Sequence, residues 1–200
     1  MLRPFVRAPN QLANFVVHFR TSVLPNEGYD ETHFDAYVER WSSTAAALTA
    51  GLQGVLPALA PRLVSLELNT QCNLLSALAP AATALTGLTK LRYTLSDHYT
   101  ISPDDCNVLG ALSSLQSLYL RSWLPRPFSA DLKSALSRLT ALTSLELEAV
   151  SIPPDDSIIE DLGLVSHLKE LCALRIKGLG LQSLAGLAPL TRLRDATLTA

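Results

Sequence analysis

A chain of 200 residues, 48% of them hydrophobic and 17% charged, is long enough to bury a core as one domain or slightly more. Its formal net charge of −2 sets up no field for polyanions, so nucleic acid is not an expected partner. Nothing approaches the roughly 18 uninterrupted apolar residues of a membrane span, and the opening MLRPFVRAPNQLANFVVHF is broken by Pro4, Arg7, Pro9, Asn10 and Gln11 where a secretory signal would be continuous, so no membrane partner is expected either.

Residues 1–56 have their own composition. Phe5, Phe15, Phe19, Tyr29, Phe34, Tyr37 and Trp41 crowd into this stretch, while the later chain is dominated by Leu, Ala, Ser and Thr. LANFVVHF supplies an initial strand, NEGYDE a turn, and ETHFDAYVERWSSTAAAL a helix with Phe34, Tyr37, Val38 and Trp41 on one face. We read residues 1–56 as an N-terminal capping segment or degenerate repeat. Phe15 precedes Leu66 by 51 residues, about two repeat lengths, so one strand of the regular array is expected to be absent or replaced here.

From residue 57 to 200 one unit is restated. Leu-rich stretches switch from spacing three to spacing two at Leu63, Leu66, Leu68; Leu88, Leu91, Tyr93; Leu115, Leu118, Leu120; Leu142, Leu145, Leu147; Leu171, Leu174, Ile176; and Leu193, Ala196, Leu198. The middle residues recur at intervals of 25, 27, 27, 29 and 22 residues, the signature of a stacked repeat. ISPDDCNVLGALSSLQSLYL aligns with FSADLKSALSRLTALTSLEL without a gap. A turn residue and an Asp open a short run of helical spacing, followed by the alternation of a strand buried on one face. Each unit is therefore expected to be helix, turn and short strand, with parallel strands because the connection must cross over. SIPPDDSIIEDLGLVSHLKEL is expected to carry a longer helical segment, accounting for the 29-residue interval.

The stretches LVSLEL, LTKLRY, LSSLQSLYL, LTALTSLELE and LCALRIKG resemble the L-x-x-L-x-L strand motif of the leucine-rich repeat family. The resemblance covers residues 57–200 well and residues 1–56 poorly. It implies an α/β solenoid of about six repeats, a curved parallel sheet on the concave side and helices on the convex side, acting in protein–protein interaction. One departure matters: where the family carries Asn or Cys bonded to buried turn backbone, this chain has Gln71, Ser96, Trp123, Val150 and Leu179, so its turns must be satisfied differently.

With the first Leu of each triplet as position 1, positions 3, 5 and 7 point to the concave face. Position 3 gives Ser65, Lys90, Ser117, Ser144, Ala173 and Asp195; position 5 gives Glu67, Arg92, Tyr119, Glu146, Arg175 and Thr197; position 7 gives Asn69, Thr94, Arg121, Glu148, Lys177 and Thr199. Strands lie about 4.8 Å apart, which predicts lateral ion pairs Glu67–Arg92, Arg121–Glu148, Glu146–Arg175 and Glu148–Lys177, with Arg92 beside the Tyr119 ring. Two readings follow: a self-satisfied ladder that keeps an open sheet in solution, or a partner-binding surface anchored by Tyr119 and Arg121. The candidate partner-binding residues are Glu67, Lys90, Arg92, Tyr119, Arg121, Glu146, Glu148, Arg175 and Lys177. Trp123 opens the loop WLPRPF and either fills space left by the missing family Asn or forms an exposed apolar lip.

No chemistry-bearing motif emerges. GLGLQSLAG has Ser183 where a phosphate-binding G-x-G-x-x-G needs its third glycine, and H-E-x-x-H, G-x-S-x-G and C-x-x-C are all absent. The pairs Asp104, Asp105 and Asp155, Asp156 each follow a proline and read as helix starts, where carboxylates accept from free N–H groups. No catalytic residue, metal ligand or cofactor is expected. Cys72, Cys106 and Cys172 are too few and too far apart for a disulfide framework, and no N-x-S/T acceptor occurs, pointing to a reduced, cytoplasmic location.

The expected function is thus a non-enzymatic module that binds a protein partner on the concave face. The rival is a structural scaffold component of a cytoskeletal or ciliary assembly, binding through its ends or convex face. The sixth strand meets Ala200 with no polar cap in sight, so end-on self-association or a longer array is also an expectation.

Overall fold

The structure, a computed structural model, describes residues 14–18, 46–70, 74–95, 101–122, 130–149, 158–159, 162–177, 180–181 and 184–199. Seven parallel strands form one open sheet: β1 (Asn14–His18), β2 (Ser65–Thr70), β3 (Lys90–Leu95), β4 (Ser117–Ser122), β5 (Ser144–Ala149), β7 (Ala173–Lys177) and β9 (Asp195–Thr199), in that order. A second, two-stranded parallel sheet joins β6 (Ile158–Ile159) to β8 (Gly180–Leu181).

The register is uninterrupted. Leu66, Leu91, Leu118, Leu145 and Leu174 are Cα partners from strand to strand and all are at most 2% exposed, a single inward column. Strands β3, β4, β5, β7 and β9 are entered the same way, with one carbonyl of the preceding strand's approach accepting two successive amides of the next. Val64 O accepts from the N–H groups of Thr89 and Lys90, Thr89 O from Gln116 and Ser117, Gln116 O from Thr143 and Ser144, Thr143 O from Cys172 and Ala173, and Cys172 O from Arg194 and Asp195. The hydroxyls of Thr89 and Thr143 donate to the same Val64 and Gln116 carbonyls. A one-residue slip would break this ladder and turn every Leu outward, so backbone and core agree on the register.

The inward residues continue into one hydrophobic cluster running from Leu52 to Leu190. Fully burying a leucine contributes about 1.5–3 kcal/mol, and no single unit could enclose its own; stacking does so. Tyr93 takes the third triplet place in β3 and is wholly buried. Its hydroxyl accepts from the Leu74 N–H at 3.3 Å, giving one buried turn amide a partner. Gln71, Ser96, Trp123, Val150 and Leu179, the positions of the family's turn residue, lie outside the described residues.

The expectation of a helix in every unit is corrected. α-Helix forms over residues 46–59 (α1), in α2 (Pro103–Ala111) and in α3 (Ala130–Arg138), whereas the other crossings use 3-10 helix at Leu75–Ala84, Leu162–Val165 and Ala185–Leu187. α2 and α3 belong to the two 27-residue intervals. The Leu75–Ala84 crossing carries Pro80 in its interior, which denies an α-helical hydrogen bond. In the 22-residue interval the 3-10 form rises about 2.0 Å per residue against 1.5 Å for α, so fewer residues make the crossing.

Among the described residues of the 29-residue interval the expected longer helical segment is replaced: Ile158–Ile159 is extended and pairs with Gly180–Leu181, ahead of the short 3-10 turn. Asp155 and Asp156 lie outside the described residues. Asp104 and Asp105 do open α2. Ser102 is its N-cap, with its hydroxyl accepting from the Asp105 N–H while the Asp105 carboxylate accepts from the Ser102 N–H at 2.8 Å.

At the N-terminal side, β1 pairs directly with β2, Phe15 opposite Leu66, so the two strands are neighbours in the sheet although 51 residues separate these partners in sequence. The rest of the expected 1–56 segment, with Phe34, Tyr37, Val38 and Trp41, lies outside the described residues. At the other side β9 loses the burial of its predecessors: Ala196 is exposed, and Leu193 and Leu198 are only half-buried.

Candidate functional site

The outward residues of β2, β3, β4, β5, β7 and β9 form three parallel rows across the strands, in the register that the spacing predicts. The four expected lateral ion pairs are all present. Arg92 Nε stands 3.5 Å from Glu67 Oε1, Arg121 Nε 3.5 Å from Glu148 Oε1, Arg175 Nη1 3.7 Å from Glu146 Oε1, and Lys177 Nζ 3.7 Å from Glu148 Oε2. The Arg92 guanidinium lies over the Tyr119 ring, 3.8 Å from its centroid.

Two contacts were not legible from lateral neighbours alone. Lys177 Nζ also reaches diagonally to Glu146 Oε1 at 3.2 Å, and the Tyr119 hydroxyl donates to Glu148 Oε2 at 3.0 Å. These diagonals fuse separate pairs into one network: Glu67, Arg92, Tyr119, Glu148, then Arg121 and Lys177, then Glu146 and Arg175. It crosses five strands. Each exposed pair by itself contributes only about 0–1 kcal/mol, so the consequence of the network is geometric: long side chains that would otherwise sample many rotamers are held in one arrangement.

Tyr119 is the node. Partial burial pushes its phenol above the ordinary tyrosine value, and the hydrogen bond and negative charge of Glu148 push it further, against the opposing pull of Arg92 and Arg121. It therefore stays a neutral donor, its ring between a guanidinium and a carboxylate.

The third row differs. Between Lys90 and Asp195 it holds only Ser117, Ser144 and Ala173, and a depression of about 150 Å³ opens where Ser144, Ala173 and Asp195 meet Glu146 and Arg175. Lys90 and Asp195 are both exposed, and among the described residues neither side chain forms an ion pair. Asp195 is not among the sequence-derived candidates. The signal that finds it is the row itself, read for which charges lack a lateral opposite.

Of the ten candidates, Glu67, Lys90, Arg92, Tyr119, Arg121, Glu146, Glu148, Arg175 and Lys177 share this face, and Trp123 lies outside the described residues. Among the described residues, no group of three or more His, Cys, Asp or Glu side chains could hold a metal ion, and no helix is long and apolar enough to cross a membrane.

A parallel sheet paired strand by strand, an inward leucine column and crossings on the other face define an α/β solenoid of leucine-rich-repeat type. Among solved structures the chain is similar to internalin C2 of Listeria monocytogenes, at 21% identity and a TM-score of 0.45, covering 72% of this chain and 58% of that one. It is similar also to the internalin inlF of the same organism, at 22% identity and a TM-score of 0.45, covering 68% of this chain and 35% of that one. No family model matches the chain, and no curated protein matches it.

Proposed function

We propose that this chain is a non-enzymatic protein–protein interaction module that binds a protein partner through the exposed face of its sheet. The observation that carries the reading is the node at Tyr119, where an aromatic ring, the Arg92 guanidinium and the Glu148 carboxylate are fixed together in the middle of the sheet. Tyr and Arg are the side chains that most often dominate binding energy, and holding them in place beforehand lowers the ordering cost of association. Cations and anions interleave along the rows, which favours a protein surface of alternating charge over a nucleic acid or an anionic membrane. Among the described residues neither Cys106 nor Cys172 is joined in a disulfide, in keeping with the reduced, cytoplasmic location we assign.

The test is charge reversal. Immobilised chain and its Arg92→Glu, Arg121→Glu double variant are compared for proteins retained from cell extract, after circular dichroism has shown that both are folded. Loss of a specific partner by about tenfold in the variant is expected, because each reversal sets like charges side by side and removes an anchor. An identical retained set would overturn face recognition. It would favour the second reading, a scaffold component of a cytoskeletal or ciliary assembly that binds through its ends or convex face.

A further inference from the structure

Nine charged side chains stand on the exposed face of β2 to β9: the cations Lys90, Arg92, Arg121, Arg175 and Lys177 and the anions Glu67, Glu146, Glu148 and Asp195. Seven are engaged with one another in the network. The remaining two, Lys90 and Asp195, occupy the same row at either end of Ser117, Ser144 and Ala173. The three middle side chains are small, Arg92, Tyr119, Glu146 and Arg175 stand in the adjacent row, and a depression opens at the β9 end between Ser144, Ala173, Asp195, Glu146 and Arg175. The hydroxyls of Ser117 and Ser144 make no hydrogen bond among the described residues, so two donor–acceptor groups line the floor.

We propose that this row is a groove for an extended peptide segment of the partner, read by charge at its two ends: Lys90 takes a carboxylate and Asp195 takes a lysine or arginine. The inference rests on the face-recognition reading and specifies its occupant. Four strand spacings of about 4.8 Å separate Lys90 from Asp195, a span of about 19 Å. An extended chain covers that in about six residues, and side chains alternate between faces with period two, so both end residues face the floor when six positions apart. The segment is therefore an acidic residue and a basic residue at i and i+6, acid over β3 and base over β9. The side chains at i+2 and i+4 enter the trough, and main-chain amides meet the two serine hydroxyls. A separation of about 19 Å exceeds the roughly 8 Å screening length at physiological salt, so the two ends are read independently. Charge reversal at one end leaves recognition at the other intact.

The experiment displays a random library of nine-residue peptides to the immobilised 200-residue chain and sequences the enriched clones. Enrichment of Asp or Glu six positions from Lys or Arg is expected. Those clones should lose about tenfold in affinity to Lys90→Glu and to Asp195→Lys separately, and the double variant should select the opposite charge order. Enriched clones without that spacing, clones indifferent to both substitutions, or a library that yields no enriched binder would each overturn the groove. Binding of the same clones to Tyr119→Ala separates the two levels. Clones that ignore Lys90 and Asp195 but are lost on Tyr119→Ala leave face recognition standing, whereas clones indifferent to all three remove both.

Discussion

Replacing Tyr93 by phenylalanine tests how the turns of this solenoid are satisfied. Tyr93 and Leu74 are both completely buried, and the tyrosine hydroxyl accepts the Leu74 N–H at 3.3 Å across 19 residues of sequence. Tyr93→Phe keeps the ring and removes the acceptor, which leaves a desolvated amide without a partner. The cost of such an orphan is about 1–3 kcal/mol, larger than the net value of an ordinary hydrogen bond because water cannot reach the group. For a chain of this length that corresponds to a fall in melting temperature of roughly 3–9 °C. Urea unfolding followed by circular dichroism should show a lower midpoint at unchanged slope, and the Leu74 amide should exchange faster than in the native chain. A midpoint within about 0.5 kcal/mol of the native one, together with unchanged exchange at Leu74, would refute the assignment; that size of change is what a substitution outside any special contact produces.

Two other outcomes follow from the same geometry. Because Tyr119 is raised in the fold, its contribution to stability is complete below the ordinary tyrosine value of about 10 and is lost as pH rises through the higher folded value. Denaturant midpoints measured from about pH 9 to 11 should therefore decline less steeply in Tyr119→Phe than in the native chain; parallel curves would contradict the assigned environment. Gly186→Ala should destabilise the last repeats by about 1–3 kcal/mol or more, since a Cβ there would stand 2.2 Å from the Leu162 carbonyl carbon and backbone would have to move. Gly87→Ala, whose Cβ meets Leu63 O at 3.4 Å, is the control and should be tolerated; thermal unfolding of the pair side by side checks both.

The strands, their order and their register are legible in the sequence because they rest on a period. Alternation fixes which residues face inward, and the recurrence of Leu66, Leu91, Leu118, Leu145 and Leu174 leaves one way to stack them. The lateral pairs Glu67–Arg92 and Arg121–Glu148 follow from that register with no further information. The crossings are less legible. An apolar residue every third or fourth place suits an α-helix and a 3-10 helix alike, and Pro80 and the length of each interval, acting against the fixed height of a strand, decide between them.

What the amino-acid order alone determines, then, is a leucine-faced stack of parallel strands and the identity of the side chains that stand on its open face. Only the tertiary structure decides how those side chains share one another: that Lys177 bridges Glu146 as well as Glu148, that Tyr119 is held by Glu148, and that among the described residues Lys90 and Asp195 form no ion pair. Burial is set by local periodicity, which a one-dimensional string records. Pairing among long, flexible side chains depends on diagonal distances across several strands, and those exist only once the sheet is assembled.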